Sequence, residues 1–369
     1  MTSAIRTIHR RLLQTGMLRL RRLSDTPLVS YIRPTAVLIL VTERCSARCV
    51  HCDIWKNRGR EDSPTLAEWQ KTIKDIRSWL GPIKVVLTGG EALMRPYTIQ
   101  LAECARSAGL YTEVLTHGYW ADQRKIEQLA MADPDLITIS LDGIGATHGK
   151  IRGIPDFFDR TNTSIETLVR MRTAHRLKFR IRLKTVIMEH NLHELGKIAE
   201  FATRDGMEVF YQPIEQNYNT PADPQWYETS DNWPRDPDAA VRAVEELIRL
   251  KRKGLHIANR YAALEVMLPY FKHPDTLQAA VRAHTATERK QFCTALDMLQ
   301  IQSNGDVTVC TSKPPIGNIR SQSIRTIWAQ RSPWWHSGCC REEKPDENGT
   351  EARLVQLTPG DPAISRPVR

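Results

Sequence analysis

Residues 42–52 read Thr-Glu-Arg-Cys-Ser-Ala-Arg-Cys-Val-His-Cys, and they directly follow an apolar segment at residues 36–41. The CxxxCxxC spacing offers three thiolates, from Cys45, Cys49 and Cys52. A 4Fe-4S cluster needs four ligands. The motif therefore predicts a cluster with one iron left open for a ligand that is not protein.

Two other uses of closely spaced cysteines are weighed against this one. Structural zinc favours a CxxC pair with a second ligand pair at a regular distance, and no such pair follows here. A disulfide framework is disfavoured because eight cysteines in 369 residues is an ordinary density, and the N-terminal residues do not read as a secretory signal.

Composition limits the class of protein. The chain is 41% hydrophobic and 25% charged, and it predicts one large domain plus a smaller one. No apolar run approaches the roughly 18 residues that span a bilayer, so we expect a soluble or peripheral protein. The net charge is +10, and six arginines of residues 1–24 supply more than half of it. The remaining positive charge is too small to indicate nucleic-acid binding.

Short apolar segments alternate with amphipathic helices from residue 36 to about 212. The segments predict six strands, at 36–41, 83–87, 111–116, 136–141, 179–187 and 207–212. Six βα units favour a parallel sheet with right-handed crossovers, curved into an open barrel. In such barrels the chemistry gathers at the carboxyl ends of the strands. The three cysteines follow the first strand at that edge.

Helix ends are also visible. Thr65 with Glu68 predicts a capping box at the start of a helix, and Gly81-Pro82 predicts its end. Asn191 with Glu194 predicts a second capped start before Leu195.

Leu-Thr-Gly-Gly-Glu at 87–91 directly follows the second strand. Paired glycines let the backbone approach a ligand closely, although an isolated pair is equally typical of a tight turn. CxxxCxxC followed one βα unit later by Gly-Gly-Glu resembles the radical S-adenosylmethionine (SAM) family. The resemblance implies an α/β fold with a partial (β/α)6 barrel. It also implies that the open iron chelates SAM, and that reductive cleavage of SAM gives a 5′-deoxyadenosyl radical that removes hydrogen from carbon.

The same resemblance assigns candidate SAM-binding residues. Gly89, Gly90 and Glu91 match the element that holds the methionine amino group, with Glu91 as a packing or hydrogen-bonding support. The segment Ile-Ser-Leu-Asp-Gly at 139–143 resembles the one that reaches the SAM ribose. In that segment Ser140 is the first choice and Asp142 the second, and His148 with Arg152 resembles its usual continuation. Weaker candidates, named only for their positions on or at the ends of predicted strands, are Thr116 with His117, Lys184 and Gln212. Turn-forming or structural roles are the alternative for all of these residues.

A second group of cysteines flanks a predicted hairpin. Cys293 and Cys310 lie on either side of residues 299–309, which carry Asn-Gly at the turn. The pattern Cys-x11-Gly-x4-Cys resembles the SPASM or twitch extension of many radical SAM enzymes. Only Cys339 and Cys340 follow, so we expect one auxiliary 4Fe-4S cluster. Cys293 and Cys310 would hold it either with both of these cysteines, or with one of them and an iron left open for substrate. Buried structural thiols are the alternative, and Cys104 is expected to be one.

Residues 213–236 show neither helical nor strand periodicity and are rich in aromatic residues. A loop of that length is usually functional or disordered, and the aromatic content favours order. We therefore predict a substrate-facing lid or a packed linker, with Glu215, Tyr218 and Trp226 as candidate contacts. Helices are expected at about 237–253 and 258–270.

The first 24 residues combine helical apolar spacing with arginines and no acid. Such an arm can lie on an anionic membrane, serve as a targeting sequence, or pack across the open edge of the barrel. Membrane contact through residues 1–24 would favour a lipid or lipid-linked substrate.

Together these observations predict a cytoplasmic enzyme, peripheral at the membrane if the arm binds it. The expected regions are an arm (1–35), a core barrel with its loop (36–236), a cluster-binding extension (237–340) and a disordered polar tail (341–369). The expected partners are a small-molecule, lipid or peptide substrate and an external electron donor such as flavodoxin or ferredoxin. The alternative is a non-catalytic iron-sulfur or zinc-binding interaction module, which would have no use for a SAM-binding element.

Overall fold

A computed structural model describes residues 8, 12–13, 15–17, 19–20, 31–57, 62–218, 220, 223, 225–274, 298–309 and 314–331. These residues form two compact units. The first unit holds the described residues up to Arg44, those from 62 to Leu115 and those of 298–331. The second holds 45–57 and the described residues from Thr116 to 274.

The described chain alternates strands and helices. The strands are β1 (Ala36–Thr42), β2 (Lys84–Gly89), β3 (Tyr111–Thr116), β4 (Leu136–Ser140), β5 (Arg180–Ile187), β6 (Glu208–Pro213), β7 (Met298–Ile301), β8 (Asp306–Thr308) and β9 (Gly317–Asn318). The α-helices are α1 (Leu66–Leu80), α2 (Thr98–Ser107), α3 (Arg124–Met131), α4 (Ala146–Arg152), α5 (Phe157–Ala174), α6 (Leu195–Arg204), α7 (Trp226–Thr229), α8 (Pro237–Arg252), α9 (Tyr261–Glu265), α10 (Met267–Lys272) and α11 (Ile324–Ala329). Three short 3-10 helices occupy Ile54–Lys56, Ala92–Met94 and Glu189–Glu194.

The first unit contains a sheet in the order β3-β2-β1-β7-β8-β9. Strand β1 pairs in parallel with both β2 and β7. Strands β7 and β8 form an antiparallel hairpin, and Gly305 in its turn has a φ of 90°. The predicted Asn-Gly hairpin is confirmed. Its parallel pairing with β1 could not be read from the sequence, because only the tertiary fold brings these strands together.

The capped start of α1 is confirmed. The Thr65 hydroxyl accepts from the Glu68 N–H at 3.3 Å, and the Glu68 carboxylate accepts from the Thr65 N–H at 2.7 Å. Gly81, with a φ of 78°, ends the helix. One face of the helix buries Trp69, Ile73 and Ile76, as the periodicity predicts.

The second unit contains the parallel strands β4, β5 and β6. Strand β5 alternates strictly. Ile181, Leu183 and Ile187 are buried on one face, whereas the other face carries Arg180, Arg182, Lys184 and Val186 with their side chains partly or fully exposed. The alternation follows from the period of two in a strand. The predicted α/β class with a mostly parallel sheet is thus confirmed.

Two local predictions are wrong. Asn191 and Glu194 do not form a capping box on α6, which begins at Leu195 without a side-chain cap; Asn191 Oδ1 accepts instead from the Met188 N–H at 3.0 Å, at the start of the preceding 3-10 helix. The Asn191 amide donates to the Asp142 and Val186 carbonyls, and the Glu194 carboxylate accepts from the Ile144 N–H and the Thr147 hydroxyl. These side chains instead bind the connection after β4, which lies more than 40 residues earlier in the chain. The helix expected at 258–270 is two short helices, α9 and α10.

The described part of the chain has no helix long and apolar enough to cross a membrane. The predicted tail at 341–369 and most of residues 1–30 lie outside the described residues.

Candidate active site

The three cysteines of the CxxxCxxC motif converge on one small apolar cluster in the second unit. Cys49 is buried there with Ala47 and Phe157, and Cys45 and Cys52 pack against this cluster. All three cysteines are free thiols, with Cys45 and Cys52 half-buried. The loop of residues 45–52 therefore presents its thiols together to one partly enclosed site.

This donor set fits an iron-sulfur cluster better than a zinc ion. Each thiolate of a cluster binds a different iron, so the sulfurs stand farther apart than around one ion. No three His, Cys, Asp or Glu side chains in the described ranges are arranged to hold a single metal ion. Burial raises the pKa of the Cys52 thiol, so metal ligation is what would make this sulfur a thiolate.

Arg48 fixes the shape of the cysteine loop. Its guanidinium Nη1 donates to the carbonyls of Cys45, Ser46 and Ala47, at 3.1, 3.2 and 2.9 Å. The Arg48 N–H donates to the Arg152 carbonyl at 2.9 Å. One side chain thus satisfies three carbonyls of a loop that has no regular secondary structure.

His117 holds the loop from a second side. Its Nδ1 accepts from the Tyr119 N–H at 3.0 Å, which leaves the ring proton of the neutral form on Nε2. Nε2 lies 2.9 Å from the Ser46 hydroxyl. Thr116, predicted to bind SAM, is buried, and its hydroxyl accepts from the Gly118 N–H at 3.1 Å. Its assignment to SAM stays a prediction.

The segment 213–236 ties back to the same loop. The Val50 carbonyl accepts from the Asn217 and Asn232 side-chain amides, at 3.2 and 2.9 Å. The Asp53 N–H donates to the Tyr218 carbonyl at 3.3 Å. The segment therefore supports the cysteine loop by hydrogen bonds across more than 160 residues of sequence.

Trp226, a predicted substrate contact, packs against aromatic neighbours, and its assignment to substrate stays a prediction. It is buried, and its ring lies 5.5 Å from that of Trp233 at 90°. Trp233 in turn lies 5.5 Å from Phe271. Trp226 and Trp233 of the segment thus form a small core with Phe271, which holds together a stretch that has no helical or strand periodicity.

Asp142 and Arg152 form a buried ion pair beside the cysteines. Arg152 Nη2 lies 2.5 Å from Asp142 Oδ2, and Arg152 Nη1 lies 3.4 Å from the Cys49 sulfur. Burial alone would raise the pKa of Asp142, but the Arg152 charge and the smaller contributions of neighbouring groups, among them the Val186 N–H, together outweigh this and the pKa is lowered. Both residues were predicted to bind SAM. In the structure they bind each other, and their assignment to SAM stays a prediction.

Two histidines flank this pair, of which His148 is buried and His51 is half-buried. Burial lowers the pKa of His51 to about 4 and that of His148 to about 3, so both rings are neutral at pH 7. The Asp142 N–H donates to His148 Nδ1 at 3.1 Å. His51 Nδ1 and His148 Nε2 are buried without a hydrogen-bond partner.

Ser140, Lys184 and Gln212 lie on the partly exposed face of the β4-β5-β6 sheet. Ser140 is paired with Lys184 across β4 and β5, and Gln212 with Val186 across β5 and β6. The structure thus brings these three predicted site residues to one face near the carboxyl ends of their strands. The same face carries Arg182 and Phe210.

The Gly-Gly-Glu element lies in the first unit, and its glycines are required by the backbone around them. A Cβ on Gly89 would lie 2.1 Å from the Thr42 carbonyl oxygen, and one on Gly90 would lie 2.6 Å from the Arg44 oxygen. The Gly90 and Glu91 N–H groups donate to those two carbonyls, both at 2.9 Å. The close approach is therefore to the chain just before Cys45. The buried Glu91 carboxylate accepts from the Leu93 N–H at 3.0 Å.

The cysteines predicted to hold the auxiliary cluster, Cys293, Cys310, Cys339 and Cys340, lie outside the described residues. Cys104 is a half-buried free thiol in α2. Sequence reasoning missed Ser46, Arg48, Asn217 and Asn232, because each acts through a backbone or tertiary contact that no local pattern reveals.

Comparison with known families identifies two domains. Residues 39–202 match the model of the radical SAM superfamily, and residues 293–345 match an iron-sulfur cluster-binding domain, SPASM. Both matches agree with the resemblance drawn from the cysteine spacing.

Two curated relatives are similar along most of the chain. An AdoMet-dependent heme synthase from Methanosarcina barkeri is 28% identical over 312 residues, which cover 80% of this chain and 82% of that protein. A PqqA peptide cyclase from Streptomyces rochei is 25% identical over 90% of this chain and 88% of that protein.

A solved structure shares the fold. The Streptococcus suis protein SuiB, in complex with the precursor peptide SuiA, matches 89% of this chain and 72% of that chain with a TM-score of 0.61 and 14% identity. The SAM-bound form of SuiB is also similar, with a TM-score of 0.60 over 66% of the SuiB chain.

Proposed function

The chain belongs to the radical SAM superfamily, and from this we propose that it couples cleavage of SAM to modification of a carboxylate-bearing tetrapyrrole. It is an enzyme of SAM-dependent radical chemistry with a 4Fe-4S cluster, and its SPASM-type extension implies an auxiliary iron-sulfur cluster. The observation that supports SAM cleavage is the convergence of the Cys45, Cys49 and Cys52 thiols on one partly enclosed site. We set aside a non-catalytic iron-sulfur or zinc-binding module, because such a module would have no use for the SAM-binding elements of this chain.

The residues around the cysteines have distinct tasks. Cys45, Cys49 and Cys52 would ligate three irons, and the group so held supplies one electron that splits SAM into methionine and a 5′-deoxyadenosyl radical. Arg48 and His117 keep the loop in its bound shape. Phe157 and Tyr119, whose rings stack at 4.6 Å, cover the apolar side and exclude water from it.

The proposed substrate class rests on charge and on one relative. Strand β5 places three cations, Arg180, Arg182 and Lys184, on one face, where Arg180 and Arg182 share one carboxylate, that of Glu208 on β6. A cationic face of this kind favours a ligand with several carboxylates. The heme synthase relative supports a tetrapyrrole as that ligand.

Coproporphyrin III, a tetracarboxylate, tests this assignment against its tetramethyl ester. We expect the acid to bind and the ester to bind at least tenfold more weakly, as measured by the shift of the Soret band. The double variant Arg182→Gln with Lys184→Gln should weaken binding of the acid alone. Equal affinity for the acid and the ester, or no effect of the double variant, would contradict the proposal.

A peptide is the second candidate substrate, because the peptide cyclase relative is similar over nearly the whole chain. We also propose that an external one-electron donor such as flavodoxin or ferredoxin reduces the cluster. Peripheral membrane contact through residues 1–24 is likewise a proposal. It is supported only by the arginine content of that arm.

A further inference from the structure

One contact beside the cysteine loop has no role in ligating the cluster. Arg152 Nη1 lies 3.4 Å from the Cys49 sulfur, at hydrogen-bond distance for a sulfur acceptor. The Arg152 side chain is 8% exposed. Cys49 is the most buried of the three cysteines in the motif. A permanent cation is thus in contact with a buried ligand sulfur.

The backbone fixes Arg152 against the loop. Helix α4 ends at this residue, and its last two carbonyls accept from the loop: Ile151 from the Val50 N–H at 3.0 Å, and Arg152 from the Arg48 N–H at 2.9 Å. Gly153 follows with a φ of 74°, and a Cβ there would lie 2.6 Å from the Arg48 carbonyl oxygen. The end of α4 is therefore hydrogen-bonded and closely packed against the cysteine loop.

Asp142 fixes the guanidinium from the other side. Its Oδ2 pairs with Arg152 Nη2, and its Oδ1 accepts from the Val186 N–H at 2.9 Å. Its side chain is fully buried. With both carboxylate oxygens held, Asp142 orients Arg152 so that Nη1 faces the sulfur.

Hydrogen bonds and positive charge at a cluster sulfur stabilise the reduced cluster, because reduction adds negative charge there. The effect is larger in a buried site, where the effective dielectric constant is low. We propose that Arg152 is a positioning residue that donates a hydrogen bond to the Cys49 thiolate and raises the reduction potential of the SAM-cleaving cluster, with Asp142 holding it in place.

The proposal is tested on full-length, anaerobically reconstituted protein by redox titration followed by electron paramagnetic resonance. The relevant signal is the one that disappears when Cys45, Cys49 and Cys52 are all changed to Ala, which separates it from any auxiliary cluster. In Arg152→Gln we expect the reduction equilibrium to become at least tenfold less favourable, a lowering of about 59 mV for one electron. Arg152→Lys, which keeps the charge, should lie between Arg152→Gln and the wild type.

Arg170→Gln is the matched control. In the same unit, Arg170 Nη2 lies 3.1 Å from Glu127 Oε1. Removing this arginine should leave the reduction potential of the cluster unchanged. An unchanged potential in Arg152→Gln with a loaded cluster would overturn the proposal. So would an equal lowering in the control.

A measurement on the wild type keeps the proposal testable if Arg152→Gln does not fold. With 15N-labelled arginine, electron-nuclear double resonance on the reduced cluster should detect nitrogen coupling, and its absence would overturn the hydrogen bond. The inference rests on the proposed cluster. The two can fail separately. If the wild type never cleaves SAM, the proposed function is contradicted. If the wild type cleaves SAM but Arg152→Gln has the same reduction potential, only the role of Arg152 is contradicted.

Discussion

Gly89 and Gly90 show how neighbouring backbone dictates a residue type. Their positions allow the chain after β2 to pass against residues 42–44, with N–H groups donating to carbonyls there. The sequence indicated that backbone comes close at this point, but not what it approaches. A glycine pair indicates that there is no room for a Cβ, but it does not indicate which group occupies the space.

Gly89→Ala should therefore be strongly destabilising. A new Cβ would lie 2.1 Å from the Thr42 oxygen, and the φ of 147° is itself strained for alanine. We expect a loss of about 3 kcal/mol or more in the free energy of unfolding, measured with denaturant. Gly109→Ala in the same unit also has a positive φ, but its nearest atom is at 3.6 Å, so its loss should be about 1–2 kcal/mol. Equal losses would contradict the steric account.

His148 gives the stability a pH dependence. Its pKa falls from 6.5 to about 3 on burial, so the unfolded chain binds a proton that the native ring does not. Its stabilising contribution is complete above pH 6.5 and is lost as the pH falls toward 3. The free energy of unfolding should then fall by up to about 1.4 kcal/mol per pH unit.

His148→Gln removes that titration, while its side-chain oxygen can still accept from the Asp142 N–H. Between pH 6 and 4, the slope of the free energy of unfolding against pH should be smaller than in the wild type, by up to the contribution of one proton, about 1.4 kcal/mol per pH unit. An unaltered slope would show that His148 is not neutral in the native state.

At the scale of elements, residues 213–236 act as a brace for the cysteine loop. The sequence indicated an ordered segment with a function, which is what its aromatic cluster and hydrogen bonds suggest. Its contacts could not be anticipated, because Asn217 and Asn232 bind the Val50 carbonyl, which is distant in sequence. For the same reason Asn191 and Glu194 resembled a capping pair and instead bind the segment after β4. Local spacing does not reveal a distant partner.

Asn232→Ala should loosen the cysteine loop. It removes one of two amide donors to the Val50 carbonyl, and the loss of this hydrogen bond should cost about 0.5–1.5 kcal/mol. Hydrogen exchange of residues 45–57 should speed up. Asn162→Ala, which removes only an amide donor to Glu166 on the exposed face of α5, is the control and should not change exchange there. Unchanged exchange in Asn232→Ala would contradict the bracing role.

For the whole molecule, periodicity predicted the order and type of the six parallel strands to within one or two residues. Apolar strands and capped helices carry that information locally. The cysteine loop was also predictable, because the CxxxCxxC spacing by itself indicates three ligands for one iron-sulfur cluster. The network of Arg48, Asp142 and Arg152 was not, since its residues come from three separate segments that only folding brings together.

The arm carries a prediction for the intact protein. Deletion of residues 1–24 should abolish salt-sensitive binding to anionic vesicles, because charge attraction is screened over about 10 Å at 0.1 M salt. Sedimentation with vesicles measures this. SAM cleavage should persist, because the three cysteines lie beyond residue 40. Loss of the clusters on deletion would show instead that the arm packs against the enzyme.

The most direct test of the account is SAM cleavage by reduced, reconstituted protein in which Cys45, Cys49 and Cys52 are all changed to Ala, with Cys104→Ala as the control. We expect 5′-deoxyadenosine and methionine from the wild type and the control. From the triple variant we expect neither product, together with the loss of about one cluster's iron. Continued formation of 5′-deoxyadenosine by a folded triple variant would contradict the assignment of these cysteines as the radical-generating site.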